Sequence, residues 1–212
     1  MTLFRQAMMA LCLLIALAPE ARAATPAPLS QADQAVVRKV EAYLNGIRTL
    51  SARFMQVAPD GSYAEGMAYI SRPGLLRLDY DPPVPIDVYA DGRMLIYYDQ
   101  ELKQASYLAL EESPAGVLIS PDIRLIGGQL IVTKVERDGG VVKIGMVQAK
   151  DSTSGEITLI FTQQPFELRQ WKVKDAQGGV TSVSLFETRS GVRLDPALFD
   201  FVPPDAAPSL RQ

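Results

Sequence analysis

Acid–base and nucleophilic chemistry needs side chains that this sequence supplies sparsely. Histidine is absent from all 212 residues. That removes the commonest general base, the commonest metal ligand and any Ser-His-Asp arrangement. Carboxylates pair on paper as Asp79 with Asp81 and as Glu111 with Glu112. Asp79 and Asp81, however, share one parity of a strand that runs into a turn, which points both toward the wet face. Gly127-Gly128 and Gly139-Gly140 are not followed by helix-forming sequence, so neither reads as a phosphate cradle. No Asp-rich calcium loop occurs; no catalytic set, metal site or cofactor is expected. The residue that asks for a partner is Arg72, in "YISRPGLLRLDYDPP" (Tyr69–Pro83). If it faces inward, so do Ala68 and Ile70, because side-chain direction repeats every two residues. An ordinary turn arginine, its stem on apolar surface and its head in water, is the plainer alternative.

Two kinds of element must position such a residue. Val36, Val37, Val40, Tyr43, Leu44 and Ile47 recur at three-and-four spacing, predicting a helix capped by Ser30 or Asp33 and stopped at Asn45-Gly46. After Leu50 the period becomes two. Strands are predicted near Ser51–Val57, Tyr63–Ser71, Leu75–Tyr80, Ile86–Ala90, Met94–Asp99 and Gln104–Tyr107. A second series covers Leu130–Arg137, Val141–Gln148, Glu156–Phe161, Leu168–Lys174 and Val180–Thr188. About eleven strands with Gly- and Pro-bearing turns describe a mainly β antiparallel sheet or barrel with some α. Between the series, Leu108–Ile126 is apolar without alternation. Serine precedes both of its prolines, predicting two short helices near Pro114–Ile119 and Asp122–Leu125. A barrel of more than about eight strands is too wide for side chains alone to fill. The N-terminal helix and this insertion are the candidates for its interior. Parity puts Leu76, Leu78 and Tyr80 on the dry face, and groups Phe54 with Ala52 and Leu50.

The chain opens with Arg5, an uncharged apolar run from Ala7 to Ala18, and Ala21-Arg22-Ala23. This is the pattern of a secretory signal peptide, predicted to cover residues 1–23, and the run is too short to span a bilayer alone. Cys12, the only cysteine, falls within it, so the remainder carries no disulfide. Residues 24–34 then read as a loose arm, 35–204 as a single domain and 205–212 as a tail. A net charge of −3 without clustered basic residues argues against nucleic acid as a partner.

The chain resembles the LolA-type periplasmic carriers, which take lipoproteins from the inner to the outer membrane. The resemblance rests on "LSARFMQ" (Leu50–Gln56), "ISRPGLLRLDY" (Ile70–Tyr80), "DGRMLIYYDQELKQ" (Asp91–Gln104) and "FDFVPP" (Phe199–Pro204), in that order. It implies an incomplete antiparallel β-barrel with a helical lid over an apolar cavity for acyl chains. By it, Arg72 becomes the lid latch, and Phe54, Ala68, Ile70, Leu76, Leu78, Tyr80 and Ile96 the acyl-chain cavity. Pro114, Val117, Leu118, Ile119 and Ile123 become the lid. Leu78 and Ile96 stand where the family often has tryptophan. The implied partners are triacylated lipoproteins, an inner-membrane ABC lipoprotein exporter and an outer-membrane lipoprotein acceptor, met by a periplasmic monomer without enzymatic activity. A lipid-sensing regulator of the same fold, acting on a membrane-protein partner, is the alternative.

Overall fold

The structure, a computed structural model, describes residues 26–202. The expected signal peptide and the expected tail lie outside the described residues. Helix α1 (Gln31–Gly46) begins at a closed capping box. The Ser30 hydroxyl accepts from the Asp33 N–H at 3.1 Å, and the Asp33 carboxylate accepts in return from the Ser30 N–H (3.1 Å) and hydroxyl (2.6 Å). These bonds, led by the hydroxyl, hold the Asp33 carboxyl below its ordinary range. The helix thus starts inside the stretch read as a loose arm, and Ala27 N–H donates to Val132 O at 2.9 Å. Val37, Val40 and Leu44 are buried along one face. Each such burial contributes about 1.5–3 kcal/mol. A lone helix of this length is marginal in water, so docking is what holds it.

Eleven strands form one sheet: β1 (Thr49–Val57), β2 (Tyr63–Ser71), β3 (Leu75–Tyr80), β4 (Ile86–Asp91), β5 (Met94–Asp99), β6 (Gln104–Ala109), β7 (Leu130–Asp138), β8 (Val141–Gln148), β9 (Gly155–Gln163), β10 (Phe166–Asp175) and β11 (Val180–Ser190). The order is β6-β5-β4-β3-β2-β1-β11-β10-β9-β8-β7, with every neighbouring pair antiparallel. Two meanders therefore meet at β1 and β11, and β6 and β7 are free edges. The barrel is incomplete, as expected.

Residues 110–129 connect those edges. They hold 3₁₀ turns at Leu110–Glu112 and Pro114–Leu118, but no helix at 122–125. The expectation of a second short helix there is corrected: the peptide groups of Ser120 and Ile123 bond to distant side chains instead of to their own turn. Residues 114–118 lie against β9, while the Ile119 carbonyl accepts from Gly74 N–H at 2.7 Å, at the β2–β3 turn. β9 and β3 stand far apart in the strand order, so the sheet must curl to bring both to one segment. The core occupies the concave side. Phe54, Phe161, Leu159, Trp171 and Leu185 from the strands join Val40 and Leu44 of α1 and Leu118, Ile119 and Ile123 of the insertion. Tyr43 meets Phe161 and Phe166 edge-on, with centroids 5.5 and 5.8 Å away.

Candidate functional site: an arginine beneath the covering segment

Strand register decides which side chains face the interior. Leu50 pairs with Ile70, Ala52 with Ala68 and Phe54 with Gly66 across β1 and β2. Ile70, Ala68 and Gly66 pair in turn with Leu76, Leu78 and Tyr80 of β3. All of these lie on the concave face, and Leu50, Ala52, Phe54, Ala68, Ile70, Leu76 and Leu78 are at most 8 % exposed. Arg72 continues that parity one step past the end of β2. The turn beyond it needs glycine: Gly74 has φ +84°, and a Cβ there would stand 2.6 Å from Gly92 Cα.

The Arg72 guanidinium joins three elements. Its Nε donates to Ser120 O of the insertion at 3.0 Å, and Nη2 reaches the same oxygen. Nη1 donates to Leu44 O and, at 3.5 Å, to Ile47 O, at the C-terminal end of α1, where Leu44 O also accepts the Ile47 N–H at 3.2 Å. Nη2 also donates to Asn45 Oδ1 at 3.2 Å. Every one of these acceptors is neutral. Burial, with Arg48 nearby, lowers the Arg72 pKa from its ordinary value, yet a guanidinium remains a cation. Five donors in a fixed planar fork suit one side chain to carbonyls on two elements at once.

Two further residues of α1 grip the insertion, and the sequence reading missed both. Asn45 donates to Ile123 O at 2.9 Å and accepts from Ile123 N–H at 3.0 Å, pairing one whole peptide group. Glu41 accepts from Leu125 N–H at 2.8 Å. Asn45 carried only a helix-stop signal, and its partner lies 78 residues away. The insertion itself is packed as a core segment, with Val117, Leu118, Ile119 and Ile123 all at most 5 % exposed. Pro114 begins the 3₁₀ turn that carries Val117 and Leu118.

Tyr80 brings the concave face a polar group. Its hydroxyl donates to Gln56 Oε1 at 2.9 Å, and its ring meets Phe54 edge-on at 5.0 Å. Gly66 lies directly between the two rings in the ladder, where a Cβ would fall 2.1 Å from Asp79 O and 2.8 Å from the Phe54 ring. Burial pushes the Tyr80 phenol up to about 12, with Tyr97 adding to the shift and Gln56 opposing it.

Ile96 does not join this set. It pairs with Tyr89 and Tyr107, and Tyr89 pairs with Arg77, so register puts Ile96 on the convex face. It is buried there because the C-terminal segment covers its neighbours. A 3₁₀ turn at Pro196–Phe199 lies against β3 and β4, and Phe201 packs on Tyr89, Tyr98 and Tyr107 with centroids 5.4, 5.5 and 6.5 Å away. Arg77 braces that segment through Leu198 O at 3.4 Å and bridges Asp79 at 3.0 Å. Asp81 receives two bonds from Arg53, at 3.1 and 2.6 Å, which hold its carboxyl below the usual range. Asp79 and Asp81, one of the two carboxylate pairs weighed for chemistry, are thus bound to arginines on the outer surface.

The arrangement is that of a half-barrel whose apolar interior is closed by a hydrogen-bonded plug, with no strand pairing across the gap among the described residues. Comparisons agree with that class. Residues 45–202 match the family described as "Outer membrane lipoprotein carrier protein LolA". The chain is 29% identical over 192 residues to the outer-membrane lipoprotein carrier protein of Azotobacter vinelandii, covering 86% of this chain and 91% of that one. It is 30% identical over 182 residues to the protein of the same name from Pseudomonas aeruginosa strain UCBPP-PA14, covering 81% and 86%. A crystal structure of a DUF1329 family protein from Desulfovibrio piger shares the fold, with a TM-score of 0.50 at 10% identity over 78% of this chain and 95% of that one. The chain belongs to the LolA family.

Proposed function

We propose that this protein is a periplasmic carrier that shields the acyl chains of lipoproteins on their way from the inner to the outer membrane. The observation that carries the reading is the guarded interior: a continuous apolar face covered by a segment tied down through Arg72, Asn45 and Glu41. The buried peptide groups of this irregular segment need partners, and they find them in side chains of α1 and of the β2–β3 turn, so the cover can part without breaking any ladder of β1–β11. The relatives' shared name, outer-membrane lipoprotein carrier protein, supports the same reading. In this proposal Phe54, Ala68, Ile70, Leu76, Leu78 and Tyr80 receive the chains once the insertion swings away, and Arg72 is its latch. Donor and recipient would be an inner-membrane ABC exporter and an outer-membrane acceptor, and the carrier would act as a monomer without catalysing a reaction.

The energetics fit a reversible carrier. A saturated chain of about 15 methylenes costs roughly 12 kcal/mol to keep in water, at about 0.8 kcal/mol per CH₂. An escort must cover such chains and still release them. A cover held by a few charge-assisted hydrogen bonds, each about 1.5–3 kcal/mol, reduces net affinity by a useful and recoverable amount. The test is purification of the protein from its native periplasm and mass spectrometry of what comes with it. Co-purified lipoproteins are expected. Phospholipid alone, or nothing bound from cells that export lipoproteins, would overturn the proposal.

A further inference from the structure

Acyl chains do not arrive as pure hydrocarbon. Each glycerol-linked chain ends in an ester carbonyl, and taking that oxygen from water without a partner costs free energy that apolar walls cannot return. Over β1–β3 the concave face is apolar from Leu50 to Phe54, at Ala68 and Ile70, and at Leu76 and Leu78. Its polar side chains on these strands are Gln56 and Tyr80. They sit at the end of the face away from Arg72: Tyr80 follows it by eight residues and Ala64, the partner of Gln56, precedes it by eight. At about 3.3 Å per residue that puts the pair roughly 20–25 Å from Arg72 along the strands.

The pair is built and half used. The Tyr80 hydroxyl occupies Gln56 Oε1 at 2.9 Å, which fixes the amide plane. The Gln56 Nε2 donates to no protein acceptor among the described residues. Gly66 keeps the space between β1 and β3 free of a side chain, so the Phe54 and Tyr80 rings close on each other at 5.0 Å and hold the phenol in place. A burial-raised phenol remains protonated through the neutral range and keeps donating to the amide. Tyr97, level with Val88 and Leu78 on the same face and one pair short of Tyr80, is 47% exposed, so the face borders water at β5.

We propose that Gln56 and Tyr80 form a seat for the ester carbonyls of glycerol-linked acyl chains, Gln56 Nε2 donating the hydrogen bond and Tyr80 orienting the amide. The seat rests on the carrier reading above and gives the cargo a direction. Chains run from it toward Arg72 and the insertion, and the polar part of the cargo leaves past the β1–β2 turn and the β3–β4 loop. The ester carbonyl is common to lipidated proteins and glycerophospholipids, so the test treats both.

Affinities of the full chain are compared for a synthetic triacyl lipopeptide and its glycerol-diether analogue, and for a diacyl phosphatidylglycerol and its diether. The expected result is about three- to tenfold tighter binding of the ester lipopeptide, the range one hydrogen bond gives. Gln56→Met should erase that gap and leave the diether affinity unchanged, which also reports an intact fold. Tyr80→Phe, a change within the chain-receiving face itself, should narrow the ratio of ester to diether affinity whatever it does to both. Equal binding of ester and diether forms within both the lipopeptide and the phospholipid pair overturns the seat while leaving the carrier standing. A gap seen only with the phospholipid pair keeps the seat and assigns it to membrane lipid. Binding of neither lipopeptide removes the carrier reading and the seat together.

Discussion

Replacing Arg72 by leucine isolates the latch, because leucine keeps apolar bulk and removes every donor. The bond that bears on opening is the one to Ser120 O, which Nε reaches at 3.0 Å and Nη2 also approaches. The bonds to Leu44, Asn45 and Ile47 anchor the same guanidinium to α1. A charged donor on a neutral acceptor contributes about 1.5–3 kcal/mol. At about 1.4 kcal/mol per decade, losing it raises the open population by about 10- to 150-fold. Asn45, Glu41 and the Gly74 N–H still hold the insertion, so the variant should fold with the cover loosened. Native-state hydrogen exchange reads this directly. The N–H groups of Gly74, Ile123 and Leu125 should exchange faster by that factor, while those of Ile144 and Leu159 in β8 and β9 should not change. Lipid affinity should rise and release should slow, since a closed cover lowers apparent affinity by the fraction of time it is shut. Lysine should behave like leucine in part, being a compact charge that cannot span helix and insertion together. A folded Arg72→Leu variant with unchanged exchange at those three amides and unchanged lipid affinity would refute the latch.

Asn45→Leu leaves the Ile123 peptide without its partners and should lower stability to urea by about 1–3 kcal/mol, with Ile123 exchange accelerated. Gly66→Ala forces a Cβ against Asp79 O and the Phe54 ring; a loss of about 1–3 kcal/mol is expected in the same measurement, and none would discredit the packing described here. Ser30→Ala removes the α1 cap and should cost about 1 kcal/mol near neutral pH. Asp33, whose folded pKa lies below its unfolded one, contributes stability that is present above the unfolded value and lost as pH falls through the folded value. The gap between Ser30→Ala and the natural chain should therefore narrow in acid, which urea titrations at several pH values can follow.

All eleven strands were legible in the sequence because alternation and turn residues are local signals. The same parity offered Arg72 an inward side with Ala68 and Ile70, and the family resemblance, not alternation, chose it over an ordinary turn arginine. Ile96 misled for a physical reason. In "MLIYYD" both faces are apolar, because the convex one is covered by Phe199 and Phe201 from the far end of the chain. Alternation cannot reveal a face buried by a segment a hundred residues on. The absent helix at 122–125 failed likewise: Ser-Pro promised a helix start, but Arg72 and Asn45 claim the peptide groups that a helix would have used. Fold class needed only neighbours in sequence, whereas the ties of the cover needed neighbours in space.

The unpaired edges of β6 and β7 bear on capacity. In a closed barrel, strand number and stagger set the radius, and widening it breaks ladder bonds. Here the seam is crossed by the insertion and by side-chain bonds such as Gln148 to Glu111 O at 2.8 Å. The two meanders can hinge apart at that seam while every strand ladder stays whole. In the proposed carrier such a vessel would adjust its girth to its load, so bulkier and slimmer cargo would need no walls tailored to each.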